Sequence, residues 1–461
     1  MTKNKEYLEF LKTKLHSYNN YGFEAKWYPN IAFDFQKHII HKNILKGRYA
    51  DFIDTGLGKT LMQLSTAYNV VLHTNKRVLI ICPLAVAFQF VKEAEKIGID
   101  DIEYSKEGKF TKKIVLCNYE RLHYFNSSDF ECVILDESSI LKNFKGQTKT
   151  IITSFLRKTP YRYLATATPS PNDFIELGTS SEALGYMGYM DMLSKFFKNN
   201  SNTSDSNNRN IGEKYYLKPH AEKDFFKWVN QWAIMARMPS DLGYSDDGYV
   251  LPKLHVHDHV IRNQSMINKN GQILLLTPIA KTNSEILFEQ KQTINERCAK
   301  AVELSQGKTS VYWCNLNQES DLLKKLDSEA VELRGEMSIE KKEDILISFA
   351  NGDIKRLITK ADITGFGLNW QHCNHTTYFP TFSYEKYYQA IRRFWRFGQK
   401  NEVEVHRIIS DGQTRVTEAI TQKTEKASQL YTSLIENVNS SFELEVKPFD
   451  KQIKLPKFLC K

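Results

Sequence analysis

The sequence predicts an α/β protein built from two tandem parallel-sheet lobes with a short helical insert between them. Short apolar runs alternate with helical stretches in both halves of the chain, whereas residues from about 175 to 300 are helical and irregular in pattern. Apolar runs bounded by polar segments are typical of strands buried on both faces, as the strands of parallel sheets are. Ligands of such sheets bind where the strands end, so we expect the functional residues on the loops that follow them.

The elements follow in order from these patterns. After a predicted helix over residues 3–17 and an aromatic-rich stretch, the first half contains four predicted strands, RVLIICP (77–83), IVLCNY (114–119), CVILDE (132–137) and YRYLATAT (161–168). The second half contains four more, TSVYWC (309–314), KRLIT (355–359), TTYFP (376–380) and VEVHRIIS (403–410). Helical periodicity between these strands predicts helices over residues 338–350 and 384–395.

Composition shifts divide the chain into five predicted segments. These are an N-terminal helical extension (1–28), the first lobe (29–180), a helical insert and linker (181–295), the second lobe (296–435) and a basic C-terminal tail (436–461). Within the insert, residues 199–210 (NNSNTSDSNNRN) contain no apolar side chain, which predicts a mobile loop.

Composition also limits the class of protein. The 461 residues are 41% hydrophobic and carry a net charge of +9, which fits a globular protein with a polyanionic partner. The seven cysteines form no C-x-x-C pair, a pattern that favours a reducing compartment over a disulfide scaffold. The longest apolar stretch is broken by Pro83 and Gln89, and the N-terminus is charged throughout. We therefore expect a cytoplasmic protein with no membrane partner.

The segment DTGLGKT (54–60) has the composition of a phosphate-binding loop. Gly56 and Gly58 can adopt backbone angles that let amide groups approach a phosphate, and the apolar helical pattern that follows would supply a helix N-terminus. Lys59 would contact the β- and γ-phosphates, and the Thr60 hydroxyl would bind Mg²⁺. The alternative is a glycine turn with a surface lysine, since the full loop pattern has an earlier glycine where this chain has Ile53.

Two further motifs supply groups for phosphoryl transfer. Asp136 and Glu137 end the strand VILDE, where Asp136 would hold Mg²⁺ and Glu137 would orient or deprotonate the attacking water; the alternative is two solvated acids. Arg393 and Arg396 lie one helical turn apart in the second half, which suits arginine fingers from the opposite lobe. A basic helix that faces DNA or solvent is equally compatible with that spacing.

Taken in order, eight motifs resemble those of the superfamily 2 helicase-like ATPases. They are FQ (35–36), DTGLGKT (54–60), ICPLAVAFQF (81–90), LCNYERL (116–122), LDESSILKN (135–143), ATATPSPN (165–172), TGFGLNW (364–370) and QAIRRFWRFGQ (389–399). The D-x-G-L-G-K-T loop, the L-K-N after the acidic motif and the closing Gly-Gln are most similar to the SWI/SNF-related branch of double-stranded DNA translocases. That family's loop lacks the earlier glycine, so Ile53 is no objection.

The resemblance implies two RecA-like lobes, ATP and Mg²⁺ as ligands and double-stranded DNA as partner. It assigns the phosphate loop and base contact to seven residues, which are Gln36, Thr55, Gly56, Leu57, Gly58, Lys59 and Thr60. Gln36 would read the adenine edge. DNA contacts would come from Asn118, Arg121, Thr364 and Gly365, with Gly367 in the same second-lobe motif. With no chromatin-reading module, the chain resembles a minimal bacterial or phage motor.

One residue departs from the family pattern. Ser139 stands where the family commonly has a histidine thought to couple hydrolysis to DNA, which leaves the strength of that coupling open.

Other side chains with possible chemistry are weaker candidates. His255, His257 and His259 share one face of a possible strand, and His372, Cys373 and His375 are close in sequence, but nothing brings four ligands together for zinc. Trp370 could stack on a base, although core packing is the commoner role.

Two alternatives to a double-stranded DNA motor remain at this point. One is a strand-separating helicase that uses the same motifs. The other is a DNA-binding protein whose nucleotide site is a switch or a relic, although the full set of phosphate-handling residues argues against decay.

Overall fold

The computed structural model describes residues 21–83, 86–142, 144, 146–170, 173–199, 215–262, 283–361, 363 and 369–439. The predicted helix over 3–17, all of the loop 199–210 except residue 199, and the tail beyond residue 439 lie outside these described residues, as do Thr364, Gly365 and Gly367.

The first lobe is built on a seven-stranded sheet in which every pairing is parallel. Its strands are β1 (Arg48–Ile53), β2 (Val78–Cys82), β3 (Ile102–Tyr104), β4 (Ile114–Asn118), β5 (Cys132–Asp136), β6 (Tyr161–Thr166) and β9 (Ala233–Ala236), in the order β3-β4-β2-β5-β6-β1-β9. Its helices are α1 (Asp34–Lys46), α2 (Lys59–Thr74), α3 (Val86–Lys96), α4 (Gln147–Leu156), α5 (Leu177–Leu184), α6 (Tyr189–Phe196) and α7 (Glu222–Asn230). A two-stranded antiparallel hairpin of β7 (Phe197–Asn199) and β8 (Tyr215–Leu217) is attached to it.

Side-chain alternation along the strands divides the first lobe into two apolar layers. In β5, Val133 and Leu135 point into one core, while Cys132 and Ile134 point into the other. Successive strand residues face opposite sides of a sheet, so a strand covered on both faces must be apolar throughout. This explains why a continuous apolar run, rather than an alternating one, predicted the strand.

The second lobe has a six-stranded parallel sheet in the order β10-β15-β14-β11-β13-β12. Its strands are β10 (Leu254–Ile261), β11 (Ser310–Trp313), β12 (Val331–Glu332), β13 (Arg356–Thr359), β14 (His375–Tyr378) and β15 (Val403–Ser410). Its helices are α8 (Asn283–Gln292), α9 (Ile294–Ser305), α10 (Asn317–Leu326), α11 (Ile339–Asn351), α12 (Tyr384–Ile391) and α13 (Thr414–Asn439). Two parallel-sheet lobes confirm the predicted fold class.

The described part of the predicted insert does not form a layer of its own. Strand β9 pairs with β1 at the edge of the first sheet, and β10 pairs with β15 at the edge of the second. The described strands of the predicted insert and linker are therefore edge strands, β9 of the first sheet and β10 of the second. Strand β9 has only four residues, too few for its apolar run to stand out in the sequence.

The C-terminal helix α13 belongs to both lobes. Val416 and Ile420 near its start are buried in the second-lobe core, whereas Tyr431 and Leu434 near its end are buried in the first-lobe core. At about 1.5 Å per residue its 26 residues span about 39 Å, enough to cross from one core to the other. The Tyr431 hydroxyl donates a hydrogen bond to the carbonyl of Phe52, in the strand that leads to the phosphate loop.

Across the described residues, no helix has both the length and the apolar character needed to cross a membrane.

Candidate active site

The loop between β1 and α2 has the backbone geometry of a phosphate cradle. Gly56 and Gly58 have φ angles of 91° and 89°, in the left-handed region that glycine adopts readily. A Cβ on Gly58 would lie 2.3 Å from the Gln36 amide nitrogen, and one on Gly56 would lie 2.9 Å from the backbone nitrogen of Phe397. Both positions therefore require glycine, and α2 begins directly after them with its N-terminal amides toward the loop.

Gln36, a residue of α1, hydrogen-bonds to this loop. Its side-chain oxygen accepts a hydrogen bond from the backbone N–H of Phe33 at 3.0 Å, and its amide nitrogen donates to the carbonyl of Leu57 at 2.9 Å. The side chain is buried, and both ends of its amide are engaged within the chain. In this conformation Gln36 positions the phosphate loop, and its amide has a second N–H and a second oxygen lone pair for the adenine contact implied by the resemblance.

Lys59 projects from the first turn of α2 into the space above the loop. Its ammonium donates a hydrogen bond to the carbonyl of Ile53 at 2.9 Å. Enclosure by protein lowers the pKa of Lys59, an effect that nearby Glu137 and Asp54 oppose and that Arg396 reinforces. Because burial disfavours the charged form of Lys59, an anion that enters the site stabilises that form.

The two carboxylates lie at the carboxyl end of β5, opposite Lys59. Asp136 is buried and accepts a hydrogen bond from the Gln63 amide at 2.8 Å; burial, followed by the charge of Glu137, raises the pKa of Asp136. Glu137 has a φ of 53°, which non-glycine residues seldom adopt and which costs on the order of 1–3 kcal/mol. This conformation turns consecutive side chains toward the cavity, and Thr166 donates a long hydrogen bond of 3.4 Å to Glu137.

Arg393 and Arg396 face these groups from the second lobe. Helix α12 ends at Ile391, so the two arginines lie on the turn after the helix rather than on the helix that the sequence predicts over 384–395. Burial lowers the pKa of Arg393 and of Arg396 to about 10, and each is further affected by a neighbouring arginine. The Arg396 Nε atom is buried and has no hydrogen-bond partner among the described residues.

These groups surround one cavity of about 470 Å³ between the lobes. Its walls include most of the predicted nucleotide-binding and catalytic residues, which are Gln36, Thr55, Gly56, Gly58, Lys59, Thr60, Asp136, Glu137, Arg393 and Arg396. Leu57 is the exception, because its side chain is buried in the first-lobe core. The volume falls within the range of roughly 300–1,000 Å³ found for small-molecule sites.

Several cavity residues were not predicted. Asn369, Gln371, Gln389 and Arg392 line it from the second lobe, and Tyr249 lines it from the segment between β9 and β10. Tyr249 packs against Phe397 with ring centroids 4.6 Å apart. Asn369 lies within the motif TGFGLNW and Gln371 directly follows it, so that motif could have indicated both; Gln389 and Arg392 lie within the motif QAIRRFWRFGQ, whereas Tyr249 has no such signal.

Of the four predicted DNA-contact residues, Asn118 and Arg121 lie within the described residues. Asn118 is fully buried at the end of β4, so its side chain does not reach solvent in this conformation. Arg121 lies on the following turn, where its guanidinium donates a hydrogen bond to the carbonyl of Lys106 at 2.8 Å. Ser139 is buried in the turn after β5.

The other candidate side chains have structural surroundings. Trp370 is fully buried and packs against Trp313, Phe349 and Phe394, which makes it a core residue. His255 pairs with Glu402, just before β15, His257 pairs with Glu404 of β15, and His259 contacts His406 at 3.0 Å. Among the residues that the structure describes, no group of three or more His, Cys, Asp or Glu could hold a metal ion.

We expect His406 and its neighbour His375, whose ring centroids are 4.8 Å apart, to make the second lobe sensitive to acid. Burial lowers the pKa of His375 to about 3 and of His406 to about 4, against 6.5 for an unfolded histidine. A lowered histidine pKa means that the unfolded chain binds the proton more tightly than the folded chain does. The contribution of these histidines to the free energy of unfolding is therefore fully present above pH 6.5 and is lost as pH falls toward 4. The melting temperature should fall by roughly 2–4 °C for each kcal/mol lost.

The test compares melting temperatures between pH 7.5 and 4.5. In His406→Asn, which can keep the contact with His259 but cannot be protonated, the decline should be shallower than in the wild type. His255→Gln is the matched control, because the His255 side chain is 37% exposed, and it should follow the wild type. Equal slopes in wild type and His406→Asn would contradict the prediction.

Two family models match the chain, one in each lobe. Residues 34–176 match the family described as DEAD/DEAH box helicase, and residues 289–398 match the family described as helicase conserved C-terminal domain. Together these matches cover more than half of the chain, one in each lobe. No curated protein matches the chain.

Two solved structures with TM-scores above 0.5 share the two-lobed fold. The chain is similar to Saccharomyces cerevisiae Dbp5 bound to RNA and ADP BeF3, with a TM-score of 0.54, 12% identity and coverage of 88% of this chain and 93% of that one. A single-substitution variant of Dbp5 with the same ligands gives a TM-score of 0.53 at 12% identity, covering 87% and 93%. The Sulfolobus solfataricus SWI2/SNF2 ATPase core in complex with dsDNA aligns over 94% of this chain and 100% of that one, with 19% identity and a TM-score of 0.39.

The fold is two-lobed, and both lobes contribute charged side chains to one cavity between them. With a helicase domain matched in each lobe, the chain belongs to the helicase-like ATPases of superfamily 2. The family predicted from the eight sequence motifs is thereby confirmed.

Proposed function

We propose that this ATPase is a motor that moves along double-stranded DNA and that it belongs to the SWI/SNF-related branch. The observation that carries the motor assignment is the division of the cavity: Lys59 and the two carboxylates come from one lobe, and Arg393 and Arg396 come from the other. Hydrolysis in such a site depends on lobe closure, so each turnover is linked to a relative movement of the lobes.

The residues present fit a nucleoside triphosphate with a divalent cation. Lys59, Arg393 and Arg396 are cations with lowered pKa values around one cavity, an arrangement that favours a polyanion. Thr60 and Asp136 provide the oxygen ligands that Mg²⁺ prefers, and they would hold it there. When bound, Mg²⁺ neutralises charge on the phosphates.

Each protein group then has a distinct part in hydrolysis. The loop amides and Lys59 hold the β- and γ-phosphates, and Glu137 accepts a proton from the attacking water. Arg393 and Arg396 stabilise the negative charge that develops on the γ-phosphate oxygens. Because burial depresses their pKa values, these guanidiniums gain most from that charge when the lobes are closed.

Double-stranded DNA as the track is supported by the motif resemblance and by the net charge of +9. A motor that steps along a strand must grip phosphates rather than bases, so its sequence preference should be weak and its affinity should fall steeply with salt. First-lobe loops such as CPLAVAF and CNYERL, and the second-lobe loop TGFGLN, are the proposed grips.

The test is an ATPase titration with blunt duplex DNA, single-stranded DNA and RNA, combined with displacement of a triplex-forming strand. Stimulation mainly by duplex, with triplex displacement, supports the proposal. Stimulation by single strands with unwinding would assign a strand-separating helicase, and stimulation by RNA alone would assign an RNA-dependent enzyme. ATP binding without turnover on any nucleic acid would assign a nucleotide switch.

Arg121→Ala should weaken binding to all duplex sequences alike and flatten the salt dependence of that binding, both read from the duplex concentration that gives half-maximal ATPase stimulation.

A further inference from the structure

Asp54 lies immediately before the phosphate loop and contacts the second lobe directly. It is buried, and its Oδ2 forms an ion pair with Nη2 of Arg392, whose side chain is only 13% exposed. The Tyr388 hydroxyl donates a hydrogen bond to the other carboxylate oxygen of Asp54. Asp54 and Arg392 lie inside two of the sequence motifs, but the sequence analysis assigned no role to either of them or to Tyr388.

Each partner is held in place by its own lobe. The Asp54 backbone N–H donates to the carbonyl of Ala236 at 2.9 Å, and the Thr55 N–H donates to the Asp54 carboxylate at 2.6 Å. On the other side, the Arg392 guanidinium lies 4.6 Å from the centre of the Trp395 ring and donates to the Trp395 carbonyl at 3.3 Å. The contact therefore joins two preorganised groups, and small displacements of one lobe would break it.

The positions of these residues along the chain connect the contact to the reaction. Asp54 is separated from Gly56 by one residue, and Arg392 directly precedes Arg393. At the same junction, Gly56 approaches the backbone of Phe397, the residue after Arg396. These two contacts, Asp54 with Arg392 and Gly56 with Phe397, place the phosphate loop against the turn that carries both cavity arginines.

We propose that the contact of Asp54 with Tyr388 and Arg392, called the catch below, holds Arg393 and Arg396 against the phosphate loop. Asp54 is then a positioning residue for ATP hydrolysis. A buried ion pair loses much of its Coulomb gain to desolvation, and it contributes geometry more than stability. When the lobes separate, both charges regain water, so the catch can open in every cycle. The proposal shares with the motor assignment only the need for ATP hydrolysis.

The test is a steady-state comparison of Asp54→Asn, Arg392→Gln and the double variant. Asparagine keeps the acceptor for Thr55 but offers no charge to Arg392. Each single variant should lower kcat by about tenfold to a hundredfold and change the ATP dissociation constant by less than about threefold, because the bound nucleotide keeps its first-lobe contacts. The double variant should be no slower than the slower single variant, within about twofold, since both changes break one contact. Arg392→Lys should recover part of the loss.

A second, more exposed ion pair between the lobes provides the control. Lys142 pairs with Glu385, and their side chains are 32% and 23% exposed. Because partly exposed pairs contribute little, Glu385→Gln should change kcat by less than about twofold. Wild-type kcat in Asp54→Asn, a loss confined to ATP affinity, or additive losses in the double variant would each overturn the proposal.

Lobe distance gives a readout that is independent of turnover. Dyes on cysteines introduced at exposed Leu72 and Leu326, in a Cys460→Ser background, report the separation of the lobes by energy transfer; the cysteines within the described residues are buried. With ATP bound, Asp54→Asn should populate the open arrangement more than the wild type does, and equal distributions would overturn the proposal. If the wild type hydrolyses no ATP, the motor assignment fails, while the distance measurement still decides the catch.

Discussion

Replacing Glu137 with glutamine is expected to leave ATP binding intact and to lower turnover by about a hundredfold or more. The side chain keeps its shape, and its amide oxygen can still accept the hydrogen bond from Thr166. What disappears is the ability to take a proton from the attacking water. The left-handed backbone of residue 137 is unchanged, so the new side chain should occupy the same place in the cavity.

Lys59→Ala is the contrasting variant. We expect Lys59 to contribute to both the bound state and the transition state, since its ammonium lies near the phosphate loop and the carboxylates. Its loss should therefore weaken ATP binding and slow turnover together. Binding measured with a fluorescent ATP analogue and turnover measured by phosphate release separate the two patterns. Turnover close to that of the wild type in Glu137→Gln would remove Glu137 from the role of base.

Replacing Arg396 with alanine is expected to lower turnover by about a thousandfold with little loss of ATP affinity, as is found when an arginine finger is removed. Arg396 lies near Lys59, whose pKa it helps to lower, so both cations point toward the same space. A guanidinium in that position should interact most strongly with the γ-phosphate oxygens as negative charge shifts onto them in the transition state. Its contribution therefore belongs mainly to the transition state.

Arg396→Lys should restore only part of the activity, because an ammonium cannot reproduce the planar guanidinium with its paired donors. The matched comparison is Arg121→Ala, which removes a partly exposed arginine outside the cavity and should leave ATP turnover without nucleic acid unchanged. A variant of Arg396 that loses ATP affinity but keeps kcat would identify a ground-state clamp, and the finger assignment would then be wrong.

Local sequence was sufficient for the fold class and for most of the cavity. Apolar strand runs, glycines that need left-handed backbone and acids at a strand end are properties of short segments, so their signal survives without tertiary information. The same reasoning missed β1, because Asp51 interrupts its apolar run RYADFI. It also extended α12 to residue 395, although the helix ends at Ile391 and both arginines still line the cavity.

Tertiary structure alone decided how the two halves meet. Asp54 and Arg392 are 338 residues apart, and nothing in either segment specifies the other, because an ion pair between lobes depends on docking rather than on periodicity or spacing. The division of the predicted insert between two sheets has the same origin, since a four-residue strand such as β9 is fixed by the edge that it pairs with. The sequence by itself predicted which groups would handle phosphate; the packing of one lobe on the other determined which of them face each other across the cavity.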